Sequence, residues 1–258
     1  PVFILPGAIA ERSTALVDGL HASATLGVGQ FCTNPGLIVL QRSPEAEAFV
    51  KALATKLAAT AEAPMLTAGI QKNFASNTSV RGRLPGVAVI VQAKAATACG
   101  AAPVWFEADA LTFLSSHALS EEIFGPSSVV VWCQDTTEML DVAQHLEGSL
   151  TATLLAGKNE SADQVQLVDA LAAKAGRLVL NGYPTGVEVS DAIVHSGPYP
   201  ATSDGGRSTS VGTRALTRWA RLICYQSFGE DLLPPELQSA NPLNLRRLVN
   251  GEWNGGAI

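Results

Sequence analysis

Between Ser128 and Asn181 the chain alternates three short apolar runs with two amphipathic segments, and no other feature constrains the fold as much. Ser128-Val129-Val130-Val131-Trp132 is a β-branched run suited to a buried strand. Asp135-Thr136-Thr137-Glu138 is a capping-box pattern opening a segment with Met139, Val142, Ala143 and Leu146 on one face and Gly148 past its end. Leu150 to Leu155 is the next strand. Ser161-Ala162-Asp163-Gln164 caps a second helix carrying Val165, Val168 and Leu171, which Gly176 ends, and Arg177-Leu178-Val179-Leu180 is a third strand. Strand-helix-strand-helix-strand at this spacing implies parallel strands joined by right-handed crossovers. The expected fold is therefore α/β, a largely parallel sheet flanked by helices.

The preceding half fits the same scheme. Val2 to Leu5 is a strand candidate closed by Pro6-Gly7, and Ile9 to Leu26 a helix with Leu16, Leu20 and Ala24 in register, ended by Gly27 and Gly29. Leu37 to Leu40 is a buried strand. Ser43-Pro44-Glu45 combines a hydroxyl cap, a proline at the first helical position and an acidic first turn. Ala46, Phe49, Val50, Leu53 and Leu57 then form one apolar stripe. A short helix is expected between Glu62 and Arg83, with strands at Val87 to Val91 and Pro103 to Phe106. The Ala/Gly tract from 93 to 102 suggests no chemistry. In parallel sheets ligands gather outside the carboxyl ends of strands, and Asn181-Gly182 ends one. Gly182 to Gly212, rich in Gly, Pro, Ser and Thr, is too long for an ordinary connection and reads as a loop lining a substrate pocket. Helix resumes from Thr213 to Leu222, Ile223 to Gln226 is a C-terminal edge strand, and a Pro-rich tail follows from Leu233. The organisation expected is a domain over 1–222 and a strand and tail over 223–258.

Composition removes several classes of function. A net charge of −6 and no long Lys/Arg cluster argue against nucleic acid, Arg214, Arg218 and Arg221 being the densest basic group. No apolar run approaches the roughly 18 residues of a membrane span. Cys32, Cys99, Cys133 and Cys224 lie far apart with no C-x-x-C pair, so neither a disulfide framework nor a metal site is suggested. A reducing compartment, the cytoplasm, is expected. His21, His117, His145 and His195 show no ligand spacing, and Gly27-Val28-Gly29 lacks the third glycine of a dinucleotide fingerprint.

One thiol stands apart. Cys32 lies in Gln30-Phe31-Cys32-Thr33-Asn34-Pro35-Gly36, a constrained loop whose Gln, Thr and Asn can donate hydrogen bonds to a thiolate or an oxyanion. A bare cysteine is more often structural, and Thr33 and Asn34 equally suit a turn around Pro35. The surrounding pattern shifts that balance. Gly29-Gln30-Phe31-Cys32-Thr33 closely resembles the nucleophile segment of the aldehyde dehydrogenase superfamily, and Glu121-Glu122-Ile123-Phe124-Gly125-Pro126 is similar to its Glu-x-Phe-Gly-Pro motif, in the expected order. The form of the first segment, with Gly197-Pro198-Tyr199-Pro200-Ala201-Thr202-Ser203-Asp204, resembles the α-ketoglutarate semialdehyde (2,5-dioxopentanoate) dehydrogenase branch.

This resemblance implies that Cys32 is the nucleophile toward a small-molecule aldehyde, and that Glu122 and Phe124 hold the ribose and nicotinamide of NAD or NADP. It further implies that Phe31, Thr33, Pro198 and Tyr199 line the substrate channel, with Arg207 as a cation for an acidic tail. A late strand joins a neighbouring subunit in that family, so a homo-oligomer is expected. The general-base Glu, the oxyanion-hole Asn and the cofactor domain precede the cysteine there. Since Pro1-Val2-Phe3 begins inside an apolar run, we read a cut end, and expect the chain alone to fold, to bind NAD(P) weakly or not at all and not to turn over aldehyde. The alternatives are a non-catalytic α/β folding and association fragment, or a Cys-His hydrolase with His195 as base.

Overall fold

The computed structural model describes residues 1–257, the side chain of Ser161 excepted. Strand β1 (Val2–Ile4) runs into helix α1 (Pro6–Thr25), where Pro6 takes the first helical position instead of closing a turn. The chain then returns to β2 (Leu37–Gln41) and α2 (Pro44–Ala58), whose N-terminus is capped as expected by Ser43 Oγ accepting from Ala46 N at 3.1 Å. Next come β3 (Ala63–Pro64), α3 (Ala68–Arg81), β4 (Ala88–Gln92), β5 (Gly100–Ala101) and β6 (Val104–Asp109). Helices α4 (Ala110–Ser115) and α5 (His117–Ser120) lead to β7 (Ser127–Cys133). The alternation read from the sequence then appears in full: α6 (Thr136–His145), β8 (Ser149–Leu155), α7 (Ser161–Ala172) and β9 (Ala175–Leu180).

Seven strands form one sheet in the order β4-β6-β7-β2-β1-β8-β9, every neighbouring pair parallel except β4 against β6. β1, β2 and β7 are buried on both faces, which is why they read as continuous apolar runs. Side-chain alternation divides the core in two. Val2, Ile4, Ile38, Leu40, Val130 and Trp132 face α1 and α2 with Leu20, Phe49 and Leu53. Phe3, Leu5, Val39, Val129 and Val131 face the other side with Phe113, Met139, Val142, Leu167 and Leu171. No helix is long and apolar enough to cross a membrane among the described residues.

Several local readings need correction. Helix α7 stops at Ala172, so Gly176 does not end it but lies inside β9. The cap expected at Ser161 lies outside the described side chains. Thr213–Trp219 is a 3₁₀ segment and not an α-helix. Ile223 to Gln226 forms no strand. The strands near the end are β10 (Arg247–Val249) and β11 (Glu252–Asn254), joined by Asn250-Gly251 with φ of 52° and 89°. That Asn-Gly pair is a strong hairpin signal, because both residues tolerate the positive φ of a type I′ turn. By contact density the chain divides into one unit over Pro1–Arg218 and another from Trp219 onward.

The cap of α6 is the feature of this architecture most open to a direct test. Asp135 Oδ1 accepts from Glu138 N at 3.0 Å, and Glu138 Oε2 accepts from Gln134 N at 2.8 Å. Asp135→Ala should lower stability by about 1 kcal/mol, seen in urea as a lower midpoint with unchanged slope.

Candidate active site

A parallel strand pair needs a crossover, so helix α1 carries the chain from the carboxyl end of β1 back to the amino end of β2. Cys32 lies in that return loop, which puts it at the amino edge of the sheet, opposite the carboxyl-end position expected for Asn181-Gly182. Asn181 instead braces the far edge, its Oδ1 accepting from Ala156 N at 2.9 Å and from the Arg12 guanidinium. At the Cys32 end, Asn34 N donates to Phe31 O at 3.0 Å, and Ser128 Oγ donates to Pro35 O at 2.5 Å, closing the turn onto β7.

The two segments singled out in the sequence meet here. Gly29, at φ +65°, packs so closely on the Gly125-Pro126 peptide that a Cβ would stand 2.4 Å from the Gly125 carbonyl. Asn34 Nδ2 donates to that same carbonyl oxygen at 3.2 Å. Behind Gly125, at φ +144°, the Phe74 ring leaves only 2.5 Å for a Cβ. Each glycine is thus required by a side-chain-free approach as well as by its backbone angle.

Around this junction opens a cleft of about 540 Å³, lined by Cys32, Thr33, Asn34, Glu122 and Phe124, with Arg81 at its base. Cys32 is exposed and Thr33 buried, and Thr33 Oγ1 and Asn34 Oδ1 are buried without a hydrogen-bond partner among the described residues. Glu122 is exposed as a residue, yet desolvation of its carboxyl in the cleft raises its pKa above the ordinary carboxylate value. Arg81 was not foreseen. Its guanidinium donates to the Ala118 and Glu121 carbonyls at 3.0 and 2.5 Å, tying down the turn before Glu122. Burial lowers its pKa to about 10, partly opposed by Glu121. Phe74, Thr78 and Arg81, the buried residues of α3, fall at i, i+4 and i+7, and that spacing was a legible signal for a buried arginine.

Other expected residues lie apart from the cleft lining. The Phe31 ring covers Gly27, where a Cβ would meet Cε2 at 2.7 Å. Pro198 and Tyr199 press their carbonyls on Gly148, 2.1 and 2.5 Å from where a Cβ would be, so Gly148 is a docking point of the long loop more than a helix stop. Their neighbours Pro200 and Ala201 do line the cleft, while Arg207 does not and donates from Nε to Asp204 O at 3.0 Å. The loop is ordered by its own hydrogen bonds. Asp204 accepts from Thr202 Oγ1 at 2.9 Å, Gly206 N at 3.1 Å and Ser208 Oγ, and the Ser208 and Thr202 bonds hold its pKa down to about 2. The same loop brings His195 Nε2 to 3.2 Å from Cys32 Sγ.

These features define a thiol cleft at the amino edge of a parallel sheet, and comparison supplies its class. The family model described as aldehyde dehydrogenase family matches residues 8–198, and the chain belongs to that family. It is 46% identical over 253 residues to the alpha-ketoglutaric semialdehyde dehydrogenase 2 of Azospirillum brasilense, covering 98% of this chain and 48% of that protein. It is 41% identical to the alpha-ketoglutaric semialdehyde dehydrogenase of Acinetobacter baylyi, covering 97% and 48%. Thus the chain spans about half the length of these curated relatives. Among solved structures, PnpE in complex with nicotinamide adenine dinucleotide superposes with a TM-score of 0.67 at 20% identity, over 83% of this chain and 43% of that one.

The junction and the loop each give a test. Gly29→Ala should cost about 1 to 3 kcal/mol through overpacking, whereas Gly36→Ala, with nothing within 4 Å of the added Cβ, should be near neutral by the same denaturation assay. The Asp204 carboxyl has a depressed pKa, so its stabilising effect on the loop is present above the ordinary value of 3.8 and lost as pH falls toward about 2. Hydrogen exchange at Gly206 N should accelerate, relative to intrinsic rates, over that acid range, and Asp204→Asn should remove the dependence.

Proposed function

We propose that this chain is the cysteine-bearing part of an NAD(P)-dependent aldehyde dehydrogenase that oxidises an acidic semialdehyde to a carboxylate. The carrying observation is that Cys32, Glu122 and Phe124 line one cleft whose two loops meet at Gly29 and Gly125. In this reading the Cys32 sulfur adds to the aldehyde carbon to give a thiohemiacetal, and its own backbone N–H is half of the oxyanion hole. After oxidation the acyl group remains on the same sulfur as a thioester, which water cleaves. The residues fit a nicotinamide cofactor: desolvation raises the Glu122 carboxyl, which suits it to accept hydroxyl donors, and Phe124 offers a partly exposed ring beside it. When bound there, NAD or NADP supplies the hydride acceptor.

The acidic substrate is inferred from the two semialdehyde dehydrogenase relatives. Arg207 is the cation we propose for the tail, its terminal guanidinium nitrogens being the groups a carboxylate would meet in bidentate fashion. Pro198, Tyr199 and Phe31 are proposed as outer channel residues. The segment from 223 onward, with exposed Ile223, Tyr225 and Trp253, is proposed as the contact to another subunit of a homo-oligomer, and four free cysteines suit a cytoplasmic setting. A second reading, a Cys-His hydrolase, is favoured by the 3.2 Å Cys32–His195 approach. Against it, His195 Nδ1 has no hydrogen-bond partner among the described residues, so the third group that orients such a base is missing.

Limiting iodoacetamide followed by peptide mapping tests the nucleophile. Cys133 is buried and its thiol pKa is pushed up to about 12, by burial first and then by Glu138, Asp135 and Asp141, so it should stay unlabelled. Cys99 and Cys224 are exposed, the latter contrary to a strand assignment, so accessibility alone does not favour Cys32. Predominant labelling at Cys32 is expected, and predominant labelling at Cys99 or Cys224 would sink the assignment. In the full-length protein, Cys32→Ala should lower aldehyde turnover by about four orders of magnitude or more while cofactor binding persists. There, Arg207→Ala should erase the preference for an acidic semialdehyde over a neutral aldehyde of equal length, and a preserved preference would remove Arg207 from the proposal.

A further inference from the structure

His195 is the one titratable side chain within hydrogen-bond distance of Cys32 Sγ among the described residues. It is held there by backbone. His195 N donates to Thr209 Oγ1 at 2.8 Å, and the His195 carbonyl accepts from Ser210 N at 3.1 Å and Ser210 Oγ at 3.0 Å. The next residue lies flat on β9, with Ser196 O only 1.9 Å from where a Cβ on Gly176 would stand. Arg177 follows on the strand. Its guanidinium is spent on Thr151 Oγ1, Gly186 O and Pro184 O, so it acts on its surroundings through charge.

Burial first, and the Arg177 charge second, lower the pKa of His195 and keep its imidazole neutral at neutral pH. A neutral imidazole carries one proton, on either nitrogen. Nδ1 is buried and without a partner among the described residues. Because buried N–H groups are rarely left orphaned, the proton belongs on Nε2, the nitrogen that faces sulfur.

We infer that His195, in its Nε2–H form, is a positioning residue that donates a hydrogen bond to the Cys32 sulfur. The bond fixes the side chain at the cleft and solvates the charge that sulfur carries when it attacks, while the imidazole takes no proton. That last point separates this role from the base of a Cys-His hydrolase. The inference rests on the proposed reading of Cys32 as the reactive thiol.

Two amides separate a donor at Nε2 from a merely structural ring. Glutamine can place its side-chain N–H where Nε2 stands, whereas asparagine reaches only the Nδ1 position. The rate of Cys32 alkylation by limiting iodoacetamide is measured by peptide mapping in the 258-residue chain and in His195→Gln, His195→Asn and His195→Leu. The expected result is a rate about tenfold lower in the Asn and Leu variants, with His195→Gln within about threefold of the native chain. Equal rates in all four proteins, or the same loss in all three variants, would overturn the role of His195 and leave Cys32 as the reactive thiol. Labelling of the native chain at Cys99 or Cys224 instead would overturn the reading of Cys32, and the inference with it.

Discussion

The contact between Gly29 and the Gly125-Pro126 peptide is the constraint on which the site depends. Two loops about a hundred residues apart in sequence approach so closely that Gly29 tolerates no β-carbon, the Phe74 ring bars one from Gly125 on its other side, and Asn34 completes the junction through the Gly125 carbonyl. A contact between backbones carries little energy of its own. Its effect is geometric, since it sets how far the Cys32 turn stands from the Glu122 turn, and Arg81 fixes the second turn from beneath. Interiors pack too densely to absorb one added methyl group without moving something, so the spacing is sharply defined.

The site's place follows from topology. In a sheet of parallel strands every return from helix to strand arrives at the amino edge, and the Cys32 loop is such a return. The cleft draws on the starts of neighbouring strands, with Leu37, Ser127 and Ser149 along its wall. The carboxyl-edge rule describes ligands held by strand-to-helix turns. Here that edge is occupied by a structural lattice, with Glu160 accepting from Gly7 N and Gly157 N, each at 2.6 Å, and Asn181 bridging Ala156 and Arg12.

Much of this was legible in the sequence, and most of what was missed around the thiol has one physical origin. The parallel strands, the Ser43 and Asp135 caps and the exposed thiol all express local patterns: period, cap chemistry, polar neighbours. Gly176 was misread because a glycine after an amphipathic run looks like a helix stop, and Gly148, which does lie past the end of α6, has a further role the sequence did not show: both admit the carbonyls of the 196–199 segment. The meeting of His195 with Cys32 spans 163 residues and is set wholly by how that segment docks. Arg177 shares this history: within β9 it reads as a strand residue, and only the fold brings its charge near the thiol and the imidazole. The hairpin at Asn250-Gly251 is different, since its signal is local and was available.

Four thiols in one chain also separate what sequence and fold each contribute to reactivity. Cys133 sits in a strand with both faces covered, where the absence of water and three nearby carboxylates disfavour the thiolate. Cys99 and Cys224 are open to solvent. Cys32 is open as well, but faces a neutral imidazole and a guanidinium whose charge interacts with its own. Exposure therefore separates Cys133 from the other three, and only the neighbours supplied by the 182–212 loop and β9 separate Cys32 from Cys99 and Cys224. Glu122 has the opposite surroundings: desolvation is the sole cause of its raised pKa, and no donor within the described residues offsets it. Under the proposed function, a cofactor's hydroxyl groups would make the hydrogen bonds that this carboxylate lacks. On that reading the protein leaves the acceptor bare at the cofactor end of the cleft and supplies the donor at the thiol end.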